Sequence, residues 1–319
     1  VTVSSDDIGD ADDRRRSRAL HHREEVMGTI VTIDVYMDTG MPVDRLAARM
    51  GRARSALHSA DEVFSTWKAD SPMSRLRRGE VTLDQVPPEV ANVLDQCRAA
   101  RVLTDGWFDP WALPGGVDPT GYVKGWAAER ALDAFRVPDV AAAVVNAAGD
   151  IASFGGPAPD VPFRFAVVDP FDPTRPACVV EHTGAVATSG TYERGHHLFD
   201  PRSRRATSAV ASATVTGPEL GMADALATAL AVGGLDVLER IGALDGFEAL
   251  VIGHDGARRW SDGFPWAQES LPAPVDRRSD RPTVSSPSNQ TGFASYKLPE
   301  TPQSTAAERA AHSAVMVSG

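Results

Sequence analysis

The chain has 319 residues, 42% of them hydrophobic and 24% charged, and carries a net charge of −11. These proportions are ordinary for a globular protein, and the acidic balance argues against a nucleic-acid partner held by charge. No apolar run reaches the roughly 18 residues of a membrane span, and the two cysteines, Cys97 and Cys178, sit in apolar patterns that read as two buried thiols rather than a disulfide or a zinc site.

Residues 1–24 hold Asp6, Asp7, Asp10, Asp12 and Asp13, then Arg14, Arg15 and Arg16, with few apolar side chains. They read as a disordered tail in which His21 and His22 are solvated. No export or lipid-anchor signal is legible near Val1, which points to a cytoplasmic protein or to a natural start lying upstream. Val31, Ile33 and Val35 alternate with Thr32, Asp34 and Tyr36, a strand pattern. Val43, Leu46, Met50, Ala53, Leu57 and Phe64 mark a helical stripe, and a second helix opens at Pro88 and runs through Val90, Val93, Leu94 and Cys97. A third helix is expected from near Tyr122 to Phe135. Strand-like runs follow at Ala143–Val145, Phe163–Val168, Cys178–Val180 and Ala209–Val215. Next comes an apolar helix that Pro218 would open and Gly233-Gly234 would end, then a short helix near 235–241 and a strand at Ala249–Ile252. From 269 to 319 the chain turns to Pro, Ser, Thr, Gln and Arg and reads as a second disordered tail. The body, 25–268, is long enough for one substantial core. Most of its strands are separated by turns, which predicts an α+β domain with a mainly antiparallel sheet and flanking helices.

Chemistry concentrates in a few places. The helix around Met222, Ala223, Ala225, Leu226, Ala229 and Leu230 is apolar on nearly every side, yet it carries Asp224. A buried carboxylate needs a cation or a set of donors beside it. Thr228 lies one turn further on the same face, so the pair reads as half of a site for a hard metal such as Mg²⁺, or as a carboxylate bonded to neighbouring backbone. Asp105-Gly-Trp-Phe-Asp109-Pro110 precedes a glycine-rich stretch, Pro114-Gly-Gly-Val-Asp118-Pro-Thr-Gly121-Tyr-Val-Lys124. Gly121 and Lys124 fall at the mouth of the third helix, where free amides favour phosphate; loop glycines also serve simply as turns. The spacing is not that of a P-loop, and no Gly-x-Gly-x-x-Gly follows a strand. Asn146-Ala-Ala-Gly149-Asp150 reads as a tight turn, in which Ala148 calls for negative φ unless it is strained. Ala187-Thr-Ser-Gly190 reads as a small-residue loop. His197 is either a base active near neutral pH or a packing histidine, and Ser189 lacks the elbow motif of a serine hydrolase.

Taken in order, these pieces resemble the FAD:protein FMN transferases, the ApbE family. The resemblance rests on Met27-Gly-Thr29, Phe64-Ser-Thr-Trp67 with Ser71-Pro-Met-Ser-Arg-Leu76, Gly106-Trp-Phe-Asp109-Pro110 and Asp118-Pro-Thr-Gly121-Tyr-Val-Lys124-Gly125. It continues through Asn146-Ala-Ala-Gly149-Asp150, Ala187-Thr-Ser-Gly190, His197-Leu-Phe-Asp200-Pro201 and Ala223-Asp224-Ala-Leu-Ala-Thr228. The resemblance implies an enzyme that uses FAD as substrate with Mg²⁺, moves the FMN half to a Thr or Ser hydroxyl of a target flavoprotein, and releases AMP. It implies metal ligation by Asp224, Thr228 and the carbonyl of Gly121. It also implies FAD contacts from Met27, Trp67, Trp107, Phe108, Asp109, Asp118, Lys124 and Leu198, and activation of the acceptor hydroxyl by His197. Two further readings stay open: a Mg²⁺-dependent FAD pyrophosphatase yielding FMN and AMP, and a non-catalytic flavin-binding protein.

Overall fold

A computed structural model describes residues 17–37, 41–190 and 198–268. Among the described residues, eight strands form one antiparallel sheet, in the order β1 (Ser17–Val26), β2 (Thr29–Met37), β3 (Ala142–Ala147), β4 (Asp150–Phe154), β7 (Ala185–Gly190), β10 (Ser212–Gly217), β11 (Glu248–Ile252) and β12 (Arg258–Trp260). The expected α+β class and mainly antiparallel sheet are therefore present.

Strands β1 (Ser17–Val26) and β2 (Thr29–Met37) form a hairpin closed by Met27 and Gly28, with φ of 54° and 67°. Positive φ at both turn positions matches the right-handed twist of the flanking strands. Residues 17–24, expected within the N-terminal tail, thus belong to the sheet. This strand was hidden because His22 and Glu24 occupy positions where an apolar side chain would signal burial. Glu24 instead accepts from Arg54 Nε at 2.6 Å, His22 Nε2 at 2.7 Å and His58 Nε2 at 2.8 Å. Those bonds, Arg54 foremost and then His58 and His22, hold its carboxyl down at about 2.

Arg54 and His58 come from α1 (Val43–Phe64), whose stripe Met50, Ala53, Leu57, Ala60 and Phe64 is buried. A short helix, α2 (Pro72–Arg77), follows; Ser71 Oγ accepts from the Ser74 amide at 3.0 Å and Pro72 opens it. Next come α3 (Pro88–Leu103) and α4 (Thr120–Asp133), close to their expected bounds.

Strands β3 (Ala142–Ala147) and β4 (Asp150–Phe154) enclose a second two-residue turn, Ala148-Gly149. Ala148 has φ 53° there, against the expected negative value. Asn146 Oδ1 accepts from the Gly149 amide at 2.8 Å and helps hold the strained turn. A separate hairpin, β5 (Phe163–Val168) with β6 (Pro176–His182), covers one sheet face. Its Phe163, Phe165, Val167, Cys178 and Val180 pack with Ala142, Val144, Ile151, Val186 and Leu250. Both cysteines are buried and free.

Strand β7 (Ala185–Gly190) is buried at every position and pairs with β4 and β10 (Ser212–Gly217). Its second half, Ala187–Gly190, was expected to be a loop. Small residues suit it because α5 (Leu220–Gly233), rich in alanine, packs directly on β7 and β10. Two short strands, β8 (Phe199–Asp200) and β9 (Arg205–Ala206), form their own hairpin. The chain ends its described part with α6 (Leu235–Ile241), β11 (Glu248–Ile252) and β12 (Arg258–Trp260). No helix among the described residues is long and apolar enough to cross a membrane.

Candidate active site

Helices α4 and α5 cross on the sheet at very short range. A Cβ on Gly125 would lie 2.5 Å from the Leu220 carbonyl oxygen, and one on Gly221 would lie 2.8 Å from the Tyr122 ring. Only glycine permits that approach. The sequence predicted that Pro218 opens α5, but the helix starts at Leu220; Glu219 is the N-cap residue and its side chain makes no capping bond. The cap comes from α4 instead. Glu129 Oε1 accepts from the Leu220 amide at 2.6 Å and Oε2 from the Gly221 amide at 3.4 Å. Burial drives the Glu129 carboxyl up to about 7, against those two bonds, with nearby Glu219 adding to the rise.

The crossing gathers oxygen atoms. Asp224 is 4% exposed in the middle of α5. Thr228, one turn on, has its Oγ1 3.4 Å from Ser189 Oγ on β7. It also lies 3.6 Å from where a Gly121 Cβ would stand, so the first turn of α4 faces it directly. The other neighbour of that Gly121 position is the buried Phe108 ring, at 3.2 Å. Carboxylate and hydroxyl oxygens are hard donors, of the kind that suits Mg²⁺. No group of three or more His, Cys, Asp or Glu able to hold a metal occurs among the described residues. A cation kept by one carboxylate and completed by waters or phosphate oxygens is the kind that fits here.

Lys124, a turn along α4 from Gly121, places its ammonium 2.5 Å from Asp150 Oδ2. Asp150 is 1% exposed, and its Oδ1 accepts from the Thr188 amide at 3.1 Å. Thr188 Oγ1 in turn meets Thr214 Oγ1 at 3.0 Å. The lysine expected at a phosphate is therefore anchored by a buried carboxylate that the sequence had shown only as the end of a turn. No local signal marked it, because an acid at a strand end is unremarkable and its partners Lys124 and Thr188 lie far off in the chain.

The remaining predicted contacts form the surroundings. Met27 lies on an open depression of about 800 Å³ lined also by Glu25, Gly28, Ile30, Asp61 and Ala148. Trp67 is 94% exposed in the turn after α1, where Ser65 Oγ accepts from the amides of Trp67 and Lys68. Lys68 pairs with Asp61 of the depression at 2.6 Å. Trp107 is held between Gly233, whose Cβ would stand 2.7 Å from the ring, and the Arg202 guanidinium, 3.8 Å from the ring centroid. Asp109 is paired with Arg101 Nε at 2.7 Å. Asp118 receives the Thr120 amide on Oδ1 at 3.1 Å and faces Arg77 through Oδ2. Leu198 is buried ahead of β8. His197 lies outside the described residues. The arginines that engage this rim, Arg77, Arg101 and Arg202, were not singled out from the sequence, because surface-rich arginine carries no local pattern.

The ApbE family model matches residues 27–115 and 112–251, most of the body described above. The chain belongs to the ApbE family. An FAD:protein FMN transferase of Rhodobacter capsulatus is 34% identical to this ApbE chain over 151 residues, which is 44% of the chain and 29% of that protein. The similarity to this curated relative thus spans less than a third of its length. Among solved structures, the flavin transferase ApbE of Vibrio cholerae superposes with a TM-score of 0.66 at 20% identity, covering 77% of this chain and 97% of that one. The ApbE protein of Thermotoga maritima gives 0.64 at 23% identity, over 76% and 97%. The apo flavinyl transferase ApbE of Pseudomonas stutzeri gives 0.65 at 20%, over 79% and 98%. At these identities the three structures share the ApbE fold with this chain.

Proposed function

We propose that this ApbE-family protein transfers FMN from FAD to a Thr or Ser hydroxyl of a target flavoprotein and releases AMP. The observation that carries the reading is the buried Asp224, with Thr228 a turn away against Gly121 of α4, in a chain of this family. Asp224, Thr228 and the Gly121 carbonyl would hold Mg²⁺. When bound, the ion supplies charge neutralisation on the pyrophosphate. The chain's own contribution begins with orientation. The amides at the first turn of α4 present positive partial charge to a phosphate, and Lys124, steadied by Asp150, adds a full charge beside them. The depression around Met27 and the exposed Trp67 ring offer apolar surface to the flavin. Trp107, Phe108, Asp109, Asp118 and Leu198 complete the contacts we assign to FAD.

The reaction then needs one bond made and one broken. The acceptor hydroxyl oxygen attacks the FMN phosphorus, the bond from that phosphorus to the AMP oxygen breaks, and the hydroxyl proton goes to His197. General-base help of this kind is worth about 10²–10⁴-fold. The test is mass spectrometry of threonine-containing acceptor peptides incubated with the protein, FAD and Mg²⁺. A mass gain equal to an FMN residue is expected, slowed by the same factor in His197→Ala. Release of FMN and AMP at equal rates with and without peptide would replace transfer by pyrophosphate hydrolysis. FAD bound but unchanged would leave a flavin-binding protein.

A further inference from the structure

Arg77 stands out from the basic residues around it. Its side chain is 14% exposed, whereas Arg75 on the same short helix and Arg78 just after it are 49% and 44% exposed. The donors of its guanidinium converge on one loop. Nε donates to the Gly115 carbonyl at 3.3 Å, Nη2 to the Pro114 carbonyl at 3.3 Å, and Nη1 faces Asp118 Oδ2 at 3.4 Å. The loop is shaped around it. Gly115 has φ 87°, and a Cβ there would lie 2.9 Å from Arg77 Nη2. The Asp118 amide is fixed in turn by the Pro110 carbonyl at 3.0 Å.

We propose that Arg77 is a positioning residue of the FAD site, acting through Asp118 on the first turn of α4. This rests on the FAD reading given above. Asp118 bridges the two elements, because one carboxylate oxygen faces Arg77 and the other receives the Thr120 amide at the start of α4. The next residue, Gly121, faces Thr228. Moving Arg77 therefore moves the carboxylate assigned to the flavin nucleotide and the helix end assigned to phosphate and metal. Stability alone does not call for a guanidinium here, since desolvating a charge costs more than packing an apolar chain of similar size. A lysine cannot substitute, because one ammonium lacks the planar fork that reaches two carbonyls and a carboxylate at once.

The test is a double-mutant cycle read by FAD binding, followed through quenching of tryptophan fluorescence in the presence of Mg²⁺. Arg77→Met, Arg77→Lys and Asp118→Asn are each expected to raise the FAD dissociation constant about tenfold, and Arg77→Met/Asp118→Asn no more than the weaker-binding single variant. Asparagine keeps an oxygen for the Thr120 amide, so the helix start survives in that background. A lowered melting temperature in Arg77→Met with an FAD dissociation constant within twofold of wild type would overturn the proposal. So would fully additive effects in the double variant. Should Arg77→Met fail to fold, Arg77→Lys carries the same comparison. Wild type that binds no FAD would instead bring down the functional reading itself, and this proposal with it.

Discussion

Asp224 is a carboxylate on a helix whose other inward positions are alanine, leucine, methionine and valine. Burying a carboxylate costs free energy unless partners offset it, and the proposed function gives Asp224 a bound cation as such a partner. Asp224→Asn is expected to cut Mg²⁺-dependent FAD turnover by more than about 100-fold, since even groups behind a metal ligand are worth about 10–100-fold. Its melting temperature should stay level or rise, because the buried charge is gone. Turnover across a Mg²⁺ titration, paired with a thermal melt, checks both parts; wild-type turnover in the variant would remove Asp224 from the metal site. The sequence made this residue legible because a lone charge in an apolar helix is anomalous by itself. Asp150 was not legible in that way. It stands at a strand end, where an acid is unremarkable, and only the fold brings Lys124 and the Thr188 amide to it.

Helices α4 and α5 act as one element joined by glycines and by Glu129. The Glu129 carboxyl is raised from 4.5 to about 7, chiefly by burial. Glu219 and Asp133 face it and raise it further, while the Leu220 and Gly221 amides pull it down. The folded protein thus holds this proton more tightly than the unfolded chain. Ionised Glu129 therefore works against folding above about pH 7, and the penalty fades as pH falls toward the unfolded value. Glu129→Gln keeps an oxygen for the Leu220 amide and removes the titration. Between about pH 5 and pH 8, wild type should lose stability relative to this variant, as read from urea midpoints at the two pH values. Parallel behaviour of the two proteins would show that the group does not titrate there.

At the scale of the molecule, the sheet, its helices and the β5–β6 hairpin form a body whose proposed site lies where α4, α5 and the ends of β4 and β7 meet. A ligand that binds only this folded arrangement stabilises all of it by mass action. FAD at about 100 times its dissociation constant should add about 2.7 kcal/mol. For a body of this size that is a rise of about 5–10 °C in melting temperature, at about 2–4 °C per kcal/mol. NAD should produce no comparable rise. Differential scanning of the protein with each nucleotide and Mg²⁺ makes the comparison, and an equal shift with NAD would contradict an FAD-specific site.

The sequence by itself determined the helices with strong 3.6-residue stripes, the alternating strand β2 and the antiparallel class, because these patterns repeat within a short window. It also determined family membership, through motifs that follow one another along the body of the chain. Only the tertiary structure decided that residues 17–24 form a strand, since their inward His22 and Glu24 are satisfied by Arg54 and His58 of α1. Only it made Ala187–Gly190 a central strand, because small side chains look like a loop until a helix is seen lying on them. The strained Ala148, the Glu129 cap and the Arg77 anchor belong to the same class. Each depends on a partner tens of residues away or on a turn closed by its flanking strands, and no local pattern encodes a contact whose other half lies elsewhere in the chain.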